Sequence, residues 1–254
     1  MNALFSCLLL GALLGLARPA AAGLPDTVAM VKPAVVAIGS HLPTRSPAIA
    51  YSGTGWVTGD GLSVITSAHV WPQAPDLARQ ESWGIVVEER GVVRFRPATL
   101  AARDSEHDLV HLRLDGAPLP ALTLGDSGAL REGQDLAFTG FPLGMVLGLR
   151  PATHRATLAA ITPLVAPAVS PRQLDARAVQ QLQKAPVTVL QLDGTAYPGN
   201  SGSPLYDPDT GAVLGVISMV YVQGLKENAI SHPSGISYAI PSSYVRALLQ
   251  QRSR

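Results

Sequence analysis

The chain has 254 residues, enough for one large domain or two small ones with a buried core. Charged residues make up 15% and hydrophobic residues 47%, which argues against intrinsic disorder. The net charge is +1 and no run of Lys or Arg stands out, so nothing points to a nucleic-acid partner or a polybasic membrane patch.

The chain opens with an export-like segment. Ala3 to Ala17 is apolar apart from Ser6 and Cys7, and Pro19-Ala20-Ala21-Ala22 supplies small residues for cleavage before Gly23. The run falls short of the roughly 20 apolar residues that span a bilayer. It lacks a positive charge near Met1 beyond the terminal amine, so an uncleaved anchor is the alternative. The expectation is a signal peptide over 1–22, one mature domain over 23–254, and a periplasmic or secreted location. Cys7 is the only cysteine, so the mature chain carries no disulfide, thiolate metal site or thiol nucleophile. No cofactor or metal is expected.

The 24 Gly and 21 Pro are spread along the chain between short apolar runs, the pattern of a turn-rich all-β fold. Val28 to Ile38, interrupted by Pro33, predicts a short helix or turn and then a strand from Val35. Gly53-Thr54-Gly55 predicts a turn, with a strand beginning at Trp56-Val57. Asp60-Gly61 signals a hairpin into a strand over Leu62 to Thr66. Ile85 to Val87 and Val92 to Phe95 form a second hairpin, and Leu109 to Leu114 a further strand. Leu136 to Thr139, Ala156 to Ile161, Val187 to Leu192 and Ala212 to Val222 predict strands of a second half. Helices are predicted over Ser170 to Lys184, with Leu174, Ala178 and Leu182 spaced by four, and over Ser242 to Gln251. Strands grouped near 35–120 and 130–240 indicate two β units rather than a βαβ sheet.

Gly199-Asn200-Ser201-Gly202-Ser203-Pro204 carries the first chemical signal. A serine hydroxyl attacks only when a base removes its proton and backbone N–H groups face the developing oxyanion. A tight glycine-flanked turn exposes the hydroxyl and lets the N–H groups of Gly199 and Ser201 converge; otherwise it is an ordinary Gly/Ser/Asn turn. The base is sought among six histidines. His69 follows the apolar strand in Thr66-Ser67-Ala68-His69-Val70, a strand–loop junction that supports a catalytic side chain. His41, His111, His154 and His232 are read as ordinary polar residues, and His107 faces away from its neighbour Asp108. Asp108 opens the strand Asp108 to Leu112 and is the candidate that orients the imidazole, with Asp104 as the fallback. The chain order His, Asp, Ser is that of chymotrypsin-type enzymes. Gly125-Asp126-Ser127-Gly128 imitates a nucleophile turn, but only 19 residues separate Ser127 from Asp108, too few for most of a second barrel.

With these residues the chain resembles the protease domain of the HtrA/DegP family, within the trypsin-like superfamily. The segments Val31 to Val36, Gly53 to Val57 with Leu62 to Val70, Asp108 to Leu112, Leu124 to Ser127 with Gly133-Gln134, Phe141 to Gly144, Asp193 to Leu205 and Gly235 to Pro241 match its blocks in order. The resemblance implies two perpendicular six-stranded antiparallel β-barrels, the first over about 30–120 and the second over about 125–241, with a C-terminal helix. It places His69 and Asp108 on the first barrel and Ser201 on the second, in a cleft between them. It implies a serine endopeptidase acting on unfolded or flexible polypeptides, and a primary pocket lined by Thr195, Ala196 and the strand Ser218-Met219-Val220. With no acidic residue there, and Val220 narrowing the pocket, small or medium aliphatic side chains are expected before the cut. Trimers are common in that family, so a homo-oligomer is an expectation without located contacts. Three departures stand out. Ser203 occupies a position where glycine is usual, and crowds the turn if the backbone needs φ > 0. The stretches 73–82 and 163–186 look like insertions. No PDZ domain is expected after the closing helix. These departures motivate one alternative, an inactive protease-like binding module, against which the intact triad speaks. An α/β-type esterase needs alternating helices and strands with Ser before His, and neither is seen.

Overall fold

The computed structural model describes residues 23–71, 80–89, 91–144, 148–164, 186–218 and 235–251. The export-like segment, the helix expected over Ser170 to Lys184, most of both insertions, and Met219 and Val220 lie outside them. Among the described residues, the short helix α1 (Leu24–Val31), with Pro25 in its first turn, is followed by twelve strands and a closing helix. The strands are β1 (Val35–His41), β2 (Ile49–Thr58), β3 (Ser63–Ser67), β4 (Ser82–Glu89), β5 (Val92–Asp104), β6 (Leu109–Leu114), β7 (Asp135–Gly140), β8 (Ala152–Leu164), β9 (Val187–Asp193), β10 (Pro204–Tyr206), β11 (Val213–Ile217) and β12 (Ile236–Pro241). Helix α2 (Ser242–Gln250) follows.

Every strand pairing is antiparallel, and the strands close into two six-stranded barrels, ordered β1-β2-β3-β6-β5-β4 and β10-β11-β12-β9-β8-β7. Closure removes the open sheet edges that an antiparallel ladder otherwise exposes. Each barrel has its own apolar interior: Val36, Ile38, Val57, Val64, Ile85, Val110 and Leu112 in the first, and Leu136, Phe138, Leu158, Leu190, Leu192 and Ile217 in the second. A third cluster lies between them, joining Trp56, Ile65 and Leu109 to Ala137, Val189, Tyr206 and Val216. Opposite faces of the same strands serve the two clusters, as the two-residue strand period requires.

Two expectations need correction. Gly53-Thr54-Gly55 is not a turn but the middle of β2. Its glycines answer close approach instead: a Cβ on Gly53 would lie 2.7 Å from the Val70 side chain, and one on Gly55 2.8 Å from Ile38. β10 was not expected as a strand, because Pro204 opens it and only three residues pair.

Helix α2 buries Val245 and Leu248 in the cluster between the barrels. Its Tyr244 stacks on His107 of the first barrel at 3.8 Å, and the Tyr244 hydroxyl accepts from Thr188 N–H of β9 at 3.3 Å. Ser242 and Arg246 both donate to the carbonyl of Gly125 in the connection between barrels. Among the described residues, no helix is long and apolar enough to cross a membrane.

Burial holds the imidazoles of His154 and His111 below the ordinary histidine value, with Arg113 adding to the effect at His111. His154 stacks on Phe138 at 4.8 Å, and its Nε2 has no hydrogen-bond partner among the described residues. A depressed histidine value contributes stability that is complete above the unfolded-state value of about 6.5 and is lost as pH falls toward the folded-state value. The melting temperature should therefore fall between about pH 7.5 and about pH 5. His154→Phe, which keeps a ring against Phe138 and deletes the titration, should flatten that fall in scanning calorimetry.

Candidate active site

β3 ends at Ser67, and the chain turns through Ala68 to Trp71 with His69 on the outside of the turn. Arg103 of β5 fixes this turn from behind, donating to the carbonyls of Ala68 (3.1 Å) and Trp71 (2.9 Å), one on each side of His69. Asp108 closes the β5–β6 hairpin at φ 55°, an uncommon left-handed conformation for a residue other than glycine. The unusual backbone turns its carboxylate onto His69. Oδ1 accepts the His69 backbone N–H at 2.9 Å, and Oδ2 lies 2.8 Å from Nδ1. Oδ2 also accepts from the Ser218 hydroxyl at 2.8 Å. With Asp108 ionised and the imidazole neutral, this contact puts the ring proton on Nδ1 and leaves the Nε2 lone pair free.

The Gly199–Ser201 turn of the second barrel docks against the same region. Ser201 O accepts from Thr54 N–H of β2 at 2.9 Å. Gly202 N–H donates to Ile217 O at 2.8 Å, and Ser67 Oγ, two residues before His69, donates to that same oxygen at 3.3 Å. Gly202 has φ 88°, and a Cβ there would sit 2.0 Å from Thr54 O and 2.4 Å from Thr66 Oγ1. The Gly199–Ser201 turn therefore presses directly on the strands that lead to His69. Ser201 is 5% exposed, while the His69 side chain is 34% exposed. Among the described residues no hydrogen bond joins Ser201 Oγ to His69, a looseness common in unliganded sites.

Ser203 does not crowd the turn. Its φ lies outside the left-handed region, and the room for its side chain comes from Gly140 at the end of β7, where a Cβ would lie 2.0 Å from Ser203 Oγ. The Ser203 hydroxyl and the Asn200 amide are both buried, without hydrogen-bond partners among the described residues. Gly140→Ala should destabilise the protein by about 1–3 kcal/mol through overpacking. Adding Ser203→Gly should recover most of that loss, read as a coupling energy in chemical denaturation.

The other candidates are also placed. Asp104 stays in its own turn, with Oδ2 2.6 Å from His107 Nδ1 and Oδ1 accepting from the N–H groups of Glu106 and His107. Ser127 is buried, and its Oγ accepts from Ser243 N–H in the first turn of α2. Thr195 and Ala196 follow β9. Ala196 N–H donates to Ser237 Oγ at 2.8 Å, and that hydroxyl donates to Gly194 O at 2.6 Å, tying this segment to β12. Ser218 Oγ is committed to Asp108, a role that sequence reasoning missed, as it missed Arg103, Tyr51 and Thr54.

Residues 53–216 match the trypsin-like peptidase domain, and the chain belongs to that family. Among curated proteins it is similar to "Serine protease HTRA2, mitochondrial" of Drosophila pseudoobscura pseudoobscura, at 30% identity over 209 residues, covering 81% of this chain and 40% of that protein. It is similar to "Serine protease HTRA4" of Homo sapiens, at 31% over 202 residues, covering 79% of this chain and 35% of that protein. A "Probable periplasmic serine endoprotease DegP-like" of Halomonas elongata is 29% identical over 189 residues, covering 74% and 32% respectively. Within the family the chain is thus HtrA/DegP-like, and it spans 40% or less of the length of these relatives. Solved structures share the fold. "HtrA-type protease AlgW with decapeptide" has a TM-score of 0.62 at 21% identity, covering 89% of this chain and 66% of that one. The active form of the Rv3671c protease from M. tuberculosis has a TM-score of 0.61 at 23% identity, covering 88% and 82%.

Proposed function

We propose that this chain is a serine endopeptidase in which Ser201 is the nucleophile, His69 the general base and Asp108 its orienting carboxylate. The observation that supports the reading is the pair of contacts between His69 and Asp108, backbone N–H to Oδ1 and Nδ1 to Oδ2, beside the Ser201 turn that docks on β2 through Thr54 N–H and Ser201 O. His69 Nε2 takes the proton of Ser201 Oγ as the oxygen attacks the scissile carbonyl. The N–H groups of Gly199 and Ser201 stabilise the oxyanion, His69 then protonates the leaving amine, and water hydrolyses the acyl-enzyme by the same route. The Ser218 hydroxyl, donating to Oδ2, helps hold the Asp108 carboxylate against the imidazole.

The substrates in this reading are unfolded or flexible polypeptides, cut after small or medium aliphatic residues accepted beside Thr195 and Ala196. The compartment is outside the cytoplasm, following cleavage before Gly23. N-terminal sequencing of the protein recovered from its host should begin at Gly23; a sequence beginning at Met1 or Asn2 would refute cleavage.

A fluorophosphonate probe should label the wild type and not Ser201→Ala, and casein should be degraded by the first alone. His69→Ala should lower kcat by about 10³-fold or more, since residual catalysis comes from oxyanion stabilisation and binding. An unlabelled wild type would instead favour a binding module. In a peptide library, dominant cleavage after Lys or Arg would refute the pocket assignment.

A further inference from the structure

We propose that Tyr51 is a positioning residue for the oxyanion hole: its hydroxyl, reaching across from the first barrel, fixes the carbonyl of Gly199 and thereby the direction of the Gly199 N–H. This rests on the reading of Gly199 as an oxyanion donor given above.

The Gly199 N–H lies in the peptide plane shared with Pro198, and how that plane sits in the turn is set at the Gly199 Cα, where it meets the plane shared with Asn200. In the first, between Pro198 and Gly199, the trans geometry sets the Pro198 carbonyl opposite the Gly199 N–H. That carbonyl is held by Leu143 N–H at 2.7 Å. In the second, between Gly199 and Asn200, the Gly199 carbonyl receives two hydroxyls from β2, Tyr51 at 2.7 Å and Thr54 at 2.7 Å. Gly199 itself has φ 101°, and a Cβ there would lie 2.3 Å from Phe141 O. The conformation is open to glycine, so its setting must come from the partners of its carbonyls.

Tyr51 couples that setting to the neighbouring loop. The same hydroxyl lies 2.9 Å from Phe141 O, so its one proton is shared between carbonyls of two segments. Thr54 makes the complementary bridge, accepting Phe141 N–H at 3.0 Å while donating to Gly199 O. The Tyr51 ring packs edge-on to Phe141, with centroids 6.3 Å apart, and a Cβ on Gly144 would meet the ring at 2.7 Å. Burial raises the Tyr51 phenol further above its ordinary value, so the donor stays protonated wherever a histidine base works. Thr54 alone still holds the Gly199 carbonyl when Tyr51 is lost. The expected effect is therefore smaller than deletion of an oxyanion donor, which costs about 10²–10³ in turnover.

The test is Tyr51→Phe, which deletes the hydroxyl and keeps the ring. Turnover of a peptide substrate should fall about tenfold, with KM changed by less than about twofold. Affinity for a peptide aldehyde, which forms a hemiacetal oxyanion with Ser201, should fall by a similar factor. Affinity for the matching peptide alcohol, which forms no oxyanion, should stay unchanged. The ratio of the two inhibition constants does not depend on the folded fraction, so partial unfolding cannot mimic the result. An unchanged ratio, or parallel losses for aldehyde and alcohol, overturns the proposal. If the wild type itself neither labels at Ser201 nor turns over, the protease reading fails; a working wild type with an indifferent Tyr51→Phe sinks only this inference.

Discussion

The hydrogen bond from Thr54 N–H to Ser201 O joins the two barrels at the point on which everything else in the site depends. Acid–base partners on separate barrels can cooperate only if the barrels are held in register to a fraction of an ångström. The shared apolar cluster, with Trp56 and Ile65 on one side and Val189 and Val216 on the other, presses the barrels together without direction. Direction comes from main-chain contact. Gly202 lies so close to Thr54 O and Thr66 Oγ1 that no side chain fits between them, and Ile217 O receives donors from both barrels. The groove is therefore assembled from backbone, and side chains project from a frame that is already fixed.

Within that frame the local charge is handled by hydrogen bonds. Asp108 is 8% exposed, and burying a carboxylate is costly unless its oxygens are satisfied. The His69 backbone, the His69 ring and Ser218 supply three donors to it. Its left-handed backbone costs about 1–3 kcal/mol. Such strain persists because the hairpin on one side and the bond from Ala68 N–H to Asp108 O on the other over-determine it. Arg103 completes the arrangement by gripping the chain on both flanks of the histidine.

The two-barrel division and most strands were legible, because alternating apolar residues and Gly or Asp-Gly breaks are local signals. β6 and helix α2 appear within a residue of where the pattern puts them. His69, Asp108 and Ser201 were singled out because each sits beside a strand end in a distinctive short context. Tyr51, Thr54 and Arg103 carry no such context. The meeting of Tyr51 with Gly199 spans 148 residues of sequence, and nothing near Tyr51 announces it. Gly53 and Gly55 were misread for a related reason: glycine marks either a bend or a crowded straight segment, and only the packing of Val70 and Ile38 distinguishes the two. Ser203 looked like a defect until Gly140, from a strand more than sixty residues earlier, was seen to make room for it.

The place of β12 in the second barrel has a consequence for the nascent chain. This strand, the last of its barrel in chain order, inserts between β11 and β9 rather than at an edge. Ser201 belongs to a loop anchored on β11 through Gly202 and Ile217. Until β12 arrives, β9 and β11 have no common neighbour, and the serine loop hangs on an unclosed sheet. His69 and Asp108 meanwhile sit on a barrel whose six strands are already translated. Vectorial synthesis thus completes the barrel of His69 and Asp108 first, and the frame around the Ser201 loop closes only once β12 has been made.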